Sequence, residues 1–334
     1  MKGLWCTSHS SSVVRSRCKN PTTYRRVLGA CRTRDPALPA GSLDTVLLLL
    51  APGQGSQFSG LLRPWLGLPG ARDRLTAWSS LTGLDLIELG TEAPDEVVRR
   101  TELTQPLLTA ASLLSGRALL GGADPDLVCG HSVGELSALA LAGVLTDDEA
   151  VTLAAGRGAA MAAAAATRPT GMLAVLGGSL DEQAVLDAGL QIATVNATGQ
   201  VVVGGPVEAL ESFSVPGARL RRLDVAGAFH TRAMATAADD FALLTGALTP
   251  ADAVCDVIAN ADGAVLRDGR ELLDRLVGQL TRPVRFDLCL AATTGATRAV
   301  ELAPGGVLTA LVKRARPDLP ITALKAADDL LVTA

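Results

Sequence analysis

Apolar residues in this chain come in short, separated blocks, and the length and flanks of each block predict an element. Val46–Leu50, in "TVLLLLAPGQGSQ", is an unbroken apolar run that ends in a Gly-rich loop, the pattern of a buried strand. Leu127–Cys129, in "PDLVCGHSVGELSALALAG", reads as a second short strand, then a turn, then an amphipathic helix ending near Gly143. "TDDEAVTLAAGRGAAMAAAAAT" opens with Thr146 and Glu149 at capping-box spacing, and its alanines favour helix. "RAVELAPGG" and "PITALKA" supply two later strands. Strands alternating with helices predict an α/β domain around a largely parallel sheet.

The rhythm changes between Gly171 and Leu223. There "MLAVL", "SLDEQAVLDAG", "QIATVN", "QVVVGG", "PVEALESF" and "ARLRRL" follow one another as β, α, β, β, α, β. That order is the ferredoxin-like pattern, and it predicts a small subdomain inserted into the larger one. The expected division is a discontinuous catalytic domain over 44–167 and 227–334, with the insert at 168–226.

Charge sets residues 1–43 apart. Lys2, Arg15, Arg17, Lys19, Arg25, Arg26, Arg32 and Arg34 stand there before the first acid, Asp35. From Asp35 onward 22 basic residues face 34 acidic ones, so the body is acidic and carries no nucleic-acid footprint. The leader is expected to be disordered or mis-assigned, with an organelle transit peptide as the other reading of a basic, Ser-rich, acid-free segment. The run Val46–Ala51 is far shorter than the roughly 20 residues a bilayer needs, so no membrane role is expected. Six cysteines form no CxxC pair, which supports neither a zinc site nor a disulfide framework. The expected compartment is a reducing one, the cytoplasm.

Chemistry concentrates in few residues. Gly130-His131-Ser132-Val133-Gly134 fits G-x-S-x-G. A serine on a sharp strand-to-helix turn needs small neighbours, and its hydroxyl then projects above the sheet while the next N–H faces a developing oxyanion. The bland alternative is a polar residue at an ordinary turn. A serine nucleophile needs a base, and the chain has three histidines. His9 lies in the leader, and His131 adjoins Ser132, where neighbouring side chains diverge. His230, in "VAGAFHTRAM", is left, with a structural histidine as its alternative. Arg157 is the one charged residue from Ala150 to Thr167, which predicts a packed guanidinium needing an anion: an internal salt bridge or a substrate carboxylate. "PGQGSQ" lacks the G-K-[ST] ending of a P-loop, so it suits a second oxyanion N–H better than a phosphate cradle.

Taken in order, "PGQGSQ", "TQPLL" (Thr104–Leu108), "GHSVGE", "RG" with Met161, "NATGQVVVGG", "GAFH", "GQLTRPVRF" and "APGGVLTALVKR" resemble the segments of malonyl-CoA:acyl-carrier-protein transacylases and related polyketide-synthase acyltransferases. The resemblance spans residues 44–326. It departs from the family at Ala303, where glycine is common, and in the leader, which has no counterpart. It implies a large α/β-hydrolase-like domain with a parallel sheet plus an inserted small ferredoxin-like (βαββαβ) subdomain. The implied reaction is ping-pong transfer of malonyl from malonyl-CoA, through a malonyl-Ser132 ester, to the phosphopantetheine thiol of acyl carrier protein.

The same resemblance implies the roles. His230 is the base, and the Gln279 backbone carbonyl orients it in place of a triad acid. The backbone N–H groups of Gln54 and Val133 form the oxyanion hole. Arg157 holds the malonyl carboxylate, Gln105 lines the pocket, and Asn196 and Asn260 match family asparagines. Phe229, before the histidine, accompanies malonyl rather than methylmalonyl use. Malonyl-CoA enters as substrate, with no cofactor and no metal. An acidic carrier protein would need a basic rim, for which Lys313 and Arg314 are candidates. The competing functions are a serine hydrolase or thioesterase, with Asp224 as suspected triad acid, and a non-catalytic relic.

Overall fold

A computed structural model describes residues 45–333; the basic leader lies outside them, and with it His9. The first apolar run is strand β1 (Leu47–Ala51), and the second is β2 (Leu127–Gly130). Later strands of the same sheet are β7 (Asp256–Ile258), β8 (Val265–Leu266), β10 (Arg298–Glu301) and β11 (Ile321–Ala323). Their order across the sheet is β11-β10-β1-β2-β7-β8, parallel except for the β7–β8 hairpin at one edge. β1 sits in the middle because it is apolar at every position and has a neighbour on each side, pairing Leu48 with Ala299 and with Leu127.

The "TDDEAVTL" segment starts the helix Asp147–Ala166, and the capping box forms as the spacing predicts, Thr146 Oγ1 accepting from Glu149 N–H. This helix packs against Thr101–Leu120, which is buried along most of its length. The helix after the elbow, Gly134–Leu141, departs from expectation. It is buried on every side, Glu135 and Ser137 included, rather than amphipathic. It is wedged between β1, β2 and the two long helices, so none of its faces reaches water.

The insert forms β3 (Thr170–Gly177), β4 (Gln191–Ala197), β5 (Gln200–Pro206) and β6 (Ala218–Arg222), with helices Glu182–Asp187 and Val207–Ser212. The antiparallel order β6-β3-β5-β4 is the ferredoxin-like one. One strand was not foreseen. β9 (Val284–Arg285), from far along the chain, adds to the free edge of β4 in parallel. Alternation divides the small sheet's faces: Leu173, Val175 and Val203 meet its own helices, while Met172, Ala174 and Val202 join the main core.

Among the described residues no helix is long and apolar enough to cross a membrane. Cys129, Cys255 and Cys289 are free and buried.

Candidate active site

The site lies beyond the carboxyl ends of β1, β2 and β7, where ligands bind in open parallel sheets. β1 runs into the loop Pro52–Gln57, β2 into the elbow, and β7 into Asn260. Loop and elbow are tied at the sheet, since His131 N–H donates to the Ala51 carbonyl at 3.0 Å. The approach is so close that a Cβ on Gly134 would lie 2.2 Å from the Ala51 oxygen, and one on Gly130 would lie 2.1 Å from the Glu135 nitrogen. Both small residues of G-x-S-x-G are therefore steric requirements.

Ser132 and His230 are the two non-glycine residues with positive φ among the described residues, at 54° and 60°. Such backbone costs of order 1–3 kcal/mol at each position and clusters where function over-determines the chain. The strain brings the pair together: Ser132 Oγ lies 2.8 Å from His230 Nε2. His230 Nδ1 lies 2.8 Å from the Gln279 carbonyl oxygen. A carbonyl only accepts, so Nδ1 carries the proton and Nε2 presents a lone pair to the serine hydroxyl. Burial, then the Arg157 charge, pushes the His230 pKa down to about 3, against the pull of its bond to Gln279. The imidazole is thus neutral at ordinary pH, with its Nε2 lone pair free to take a proton.

Arg157 is 1% exposed and faces no carboxylate across a salt bridge among the described residues. Amide oxygens hold it instead: Nη1 donates to Gln105 Oε1 and Nη2 to Gln279 Oε1, both at 2.7 Å. Nη2 also reaches Ser132 Oγ at 3.4 Å, and Nε is buried without a partner. Burial lowers its pKa to about 10, with Glu135 pulling it back up. Neutral partners fix the guanidinium in place, and Glu135 acts on it only across the Gln279 amide, so beside the nucleophile the cation has no direct ion pair, a state suited to an incoming carboxylate.

The other sequence-predicted residues are placed as follows. Gln105 sits on Thr101–Leu120, and its Nε2 meets Met161 Sδ at 3.3 Å. Gln54 is half-buried, and its side chain donates to Thr101 Oγ1 at 3.1 Å. Val133 is buried at the start of the elbow helix. Asn196, on β4, accepts from His131 Nε2 at 2.9 Å and so ties the small sheet to the elbow. Phe229 is 4% exposed, its ring part of the main core. Asp224 stands away from the histidine, 88% exposed and paired with Arg99 at 3.4 Å. Arg314 donates to Gln200 Oε1 on β5 at 2.8 Å.

Two residues weigh more than the sequence suggested. Asn260 clamps the elbow backbone, its Oδ1 accepting from Ser132 N–H at 2.8 Å and its Nδ2 donating to the Gly130 carbonyl at 2.6 Å. Glu135 is a buried carboxylate bonded to Asn260 N–H at 2.6 Å. A charged residue directly after G-x-S-x-G was the available signal, masked by the assumption of an amphipathic helix. Among the described residues no group of three or more His, Cys, Asp or Glu side chains could hold a metal ion.

The profile of the acyl transferase domain family matches residues 49–327. A malonyl CoA-acyl carrier protein transacylase of Mycobacterium tuberculosis is 47% identical over 299 residues, covering 85% of this chain and 98% of the relative. The crystal structure of MCAT from Mycobacterium tuberculosis is similar at a TM-score of 0.82 and 46% identity, over 86% of this chain and 99% of that one. A type II PKS acyl-carrier protein in complex with its malonyl-transacylase is similar at a TM-score of 0.80 and 30% identity, over 86% and 99%.

Proposed function

The chain belongs to the acyl transferase domain family, and from that premise we propose that it moves a malonyl group from malonyl-CoA to acyl carrier protein. The observation that carries the reading is the buried Arg157 guanidinium, without a direct ion pair and held 3.4 Å from the Ser132 hydroxyl, which already faces a neutral histidine. An acyl group bearing a free carboxylate fits that pair. A plain ester would leave the buried cation unanswered.

In the first half-reaction Ser132 Oγ attacks the thioester carbonyl and passes its proton to His230 Nε2. The tetrahedral oxyanion rests on the N–H groups of Gln54 and Val133, aided by the start of the elbow helix. Collapse breaks the C–S bond, and the CoA thiolate leaves with the proton from His230. In the second half the phosphopantetheine thiol gives its proton to His230 and attacks the malonyl ester. Ser132 Oγ then leaves and recovers that proton. Through both halves Gln279 holds the tautomer of His230, a task usually given to an acid. Arg157 grips the malonyl carboxylate, with Gln105 and Asn196 shaping the pocket. Phe229 crowds a methyl on the substrate α-carbon, worth about 1–3 kcal/mol of discrimination.

The division into a catalytic part (44–167 and 227–334) and an inserted subdomain (168–226) belongs to the same reading, as do a cytoplasmic setting and a role in supplying malonyl units for fatty-acid or polyketide synthesis. Intact-protein mass spectrometry after exposure to malonyl-CoA tests it. The expected result is a malonyl adduct on Ser132 that disappears when acyl carrier protein is added. Rapid malonyl-CoA hydrolysis without carrier acylation would sink the transferase reading.

A further inference from the structure

Glu135 is the one charged side chain of the site that the transfer chemistry leaves unused. It is 7% exposed, in the first turn of Gly134–Leu141, with no cation at salt-bridge distance among the described residues. Burying a carboxylate against neutral donors is costly, so burial alone would favour an uncharged residue here.

Its two oxygens grip two amides that both serve the site. Oε1 accepts from Asn260 N–H at 2.6 Å, and Oε2 from Gln279 Nε2 at 2.5 Å. Asn260 in turn holds Ser132 N–H. Gln279 accepts from Arg157 Nη2 on its side-chain oxygen, and from His230 Nδ1 on its backbone oxygen. A side-chain amide has a donor end and an acceptor end of nearly the same shape. A carboxylate accepts only, so Glu135, the shortest of three acceptors on the Gln279 NH2 beside Asn260 Oδ1 at 3.1 Å and the Ser132 carbonyl at 3.3 Å, favours the orientation in which Oε1 faces Arg157. Turned over, Gln279 would set N–H against N–H at the guanidinium and leave a buried cation without its acceptor.

We propose that Glu135 is a positioning residue for acyl transfer: its carboxylate locks the Gln279 amide and, through it, the Arg157 guanidinium and the carbonyl that orients His230. The proposal rests on the roles given above to Ser132, His230 and Arg157. It predicts a pH signature. Burial raises the Glu135 pKa to about 7, while Asn260 N–H, Arg157, Arg275 and Gln279 pull it down. The groups facing it are Arg157 on the helix Asp147–Ala166, Arg275 on Gly269–Gly278 and Cys129 at the end of β2, with His230 across Gln279. Cys129 is raised well above its ordinary value, chiefly by its bond to Cys289, and stays neutral. The locking form is the anion, so kcat/KM should fall as pH drops through about 7, far above the limb of His230 near 3.

The test measures kcat/KM for malonyl-CoA against pH, and the malonyl-over-acetyl preference in acylation of Ser132, for wild type, Glu135→Gln and Glu135→Asp. In Glu135→Gln, KM for malonyl-CoA should rise and the malonyl preference fall, each about tenfold, the scale of a lost charge-assisted hydrogen bond. The limb near pH 7 should vanish. Glu135→Asp keeps the charge and should keep the limb, moved to lower pH. A Glu135→Gln protein that retains both preference and limb overturns the proposal. If that variant loses its cooperative thermal transition, Glu135→Asp decides: an unmoved limb with wild-type preference overturns it. Wild-type protein that takes no malonyl group overturns the acyl-transfer reading instead, and this proposal with it.

Discussion

The parallel sheet and the small antiparallel sheet contribute unequally to one site. Strand ends of the parallel sheet deliver the loop of Gln54, the strained Ser132 and the clamp Asn260, and the helix Asp147–Ala166, packed over the elbow helix and Thr101–Leu120, carries Arg157. The small sheet delivers two polar contacts, Asn196 to His131 and, from β9, Arg285 N–H to the Asn260 carbonyl at 2.7 Å. The difference follows from geometry. Parallel strands end together on one side, so several loops converge there, and tight packing beneath holds them at strained angles. Antiparallel strands end alternately at opposite edges, so the small sheet meets the site with a face. A face can orient a neighbour and line a pocket, but it concentrates few strand ends on one point.

Substitutions can test that division, beginning with the largest effect. Ser132→Ala removes the proposed nucleophile. Acyl transfer should fall by roughly 10³-fold or more, with no adduct in intact mass spectrometry. His230→Ala should slow transfer by about 10²–10⁴-fold, measured by stopped-flow release of CoA. It should also change acid stability. The His230 pKa is about 3 when folded against 6.5 as the ordinary value, so the unfolded chain binds the extra proton first. Stability tied to the neutral imidazole is complete above 6.5 and is lost as pH falls from 6.5 towards 3. The variant should lose less across that window, read by urea melts at several pH values.

Arg157→Ala should leave acetyl transfer nearly intact while malonyl transfer drops about 10²-fold, as expected for a buried charge pair that no longer forms. Competition between the two CoA thioesters measures the ratio, and retained malonyl selectivity would count against the role of Arg157. Asn196→Ala, the small sheet's side-chain contribution, should cost about tenfold or less, by freeing the His131 ring. An Asn196→Ala loss as large as that of His230→Ala would break the division, since it would make the small sheet part of the chemistry.

Much of this was readable beforehand. Unbroken apolar runs announced β1 and β2 because a central parallel strand is buried on both faces. G-x-S-x-G announced the elbow because glycine is the one residue that fits where backbones nearly touch. A histidine census led to His230, and a lone arginine among alanines led to Arg157. β9 was not readable. Val284–Arg285 is two residues long, and its partner β4 lies about ninety residues earlier. The mixed environment of Glu135 was not readable either. A charged residue in a short helix looks like a solvent-facing one until the elements on all sides are in place.

The sequence by itself determined the local quantities: which runs bury, where the turn is sharp enough to expose a serine, and which titratable residues are scarce enough to matter. These depend on side-chain volume, periodicity and φ preference, which act over a few residues. Tertiary structure decided the relations: His230 reaching Ser132 at 2.8 Å across 98 positions, Gln279 facing histidine, arginine and Glu135 at once, and a carboxylate pushed to a pKa of about 7. Hydrogen-bond direction and desolvation depend on which groups share a dry interior, and only the closed fold brings those groups together.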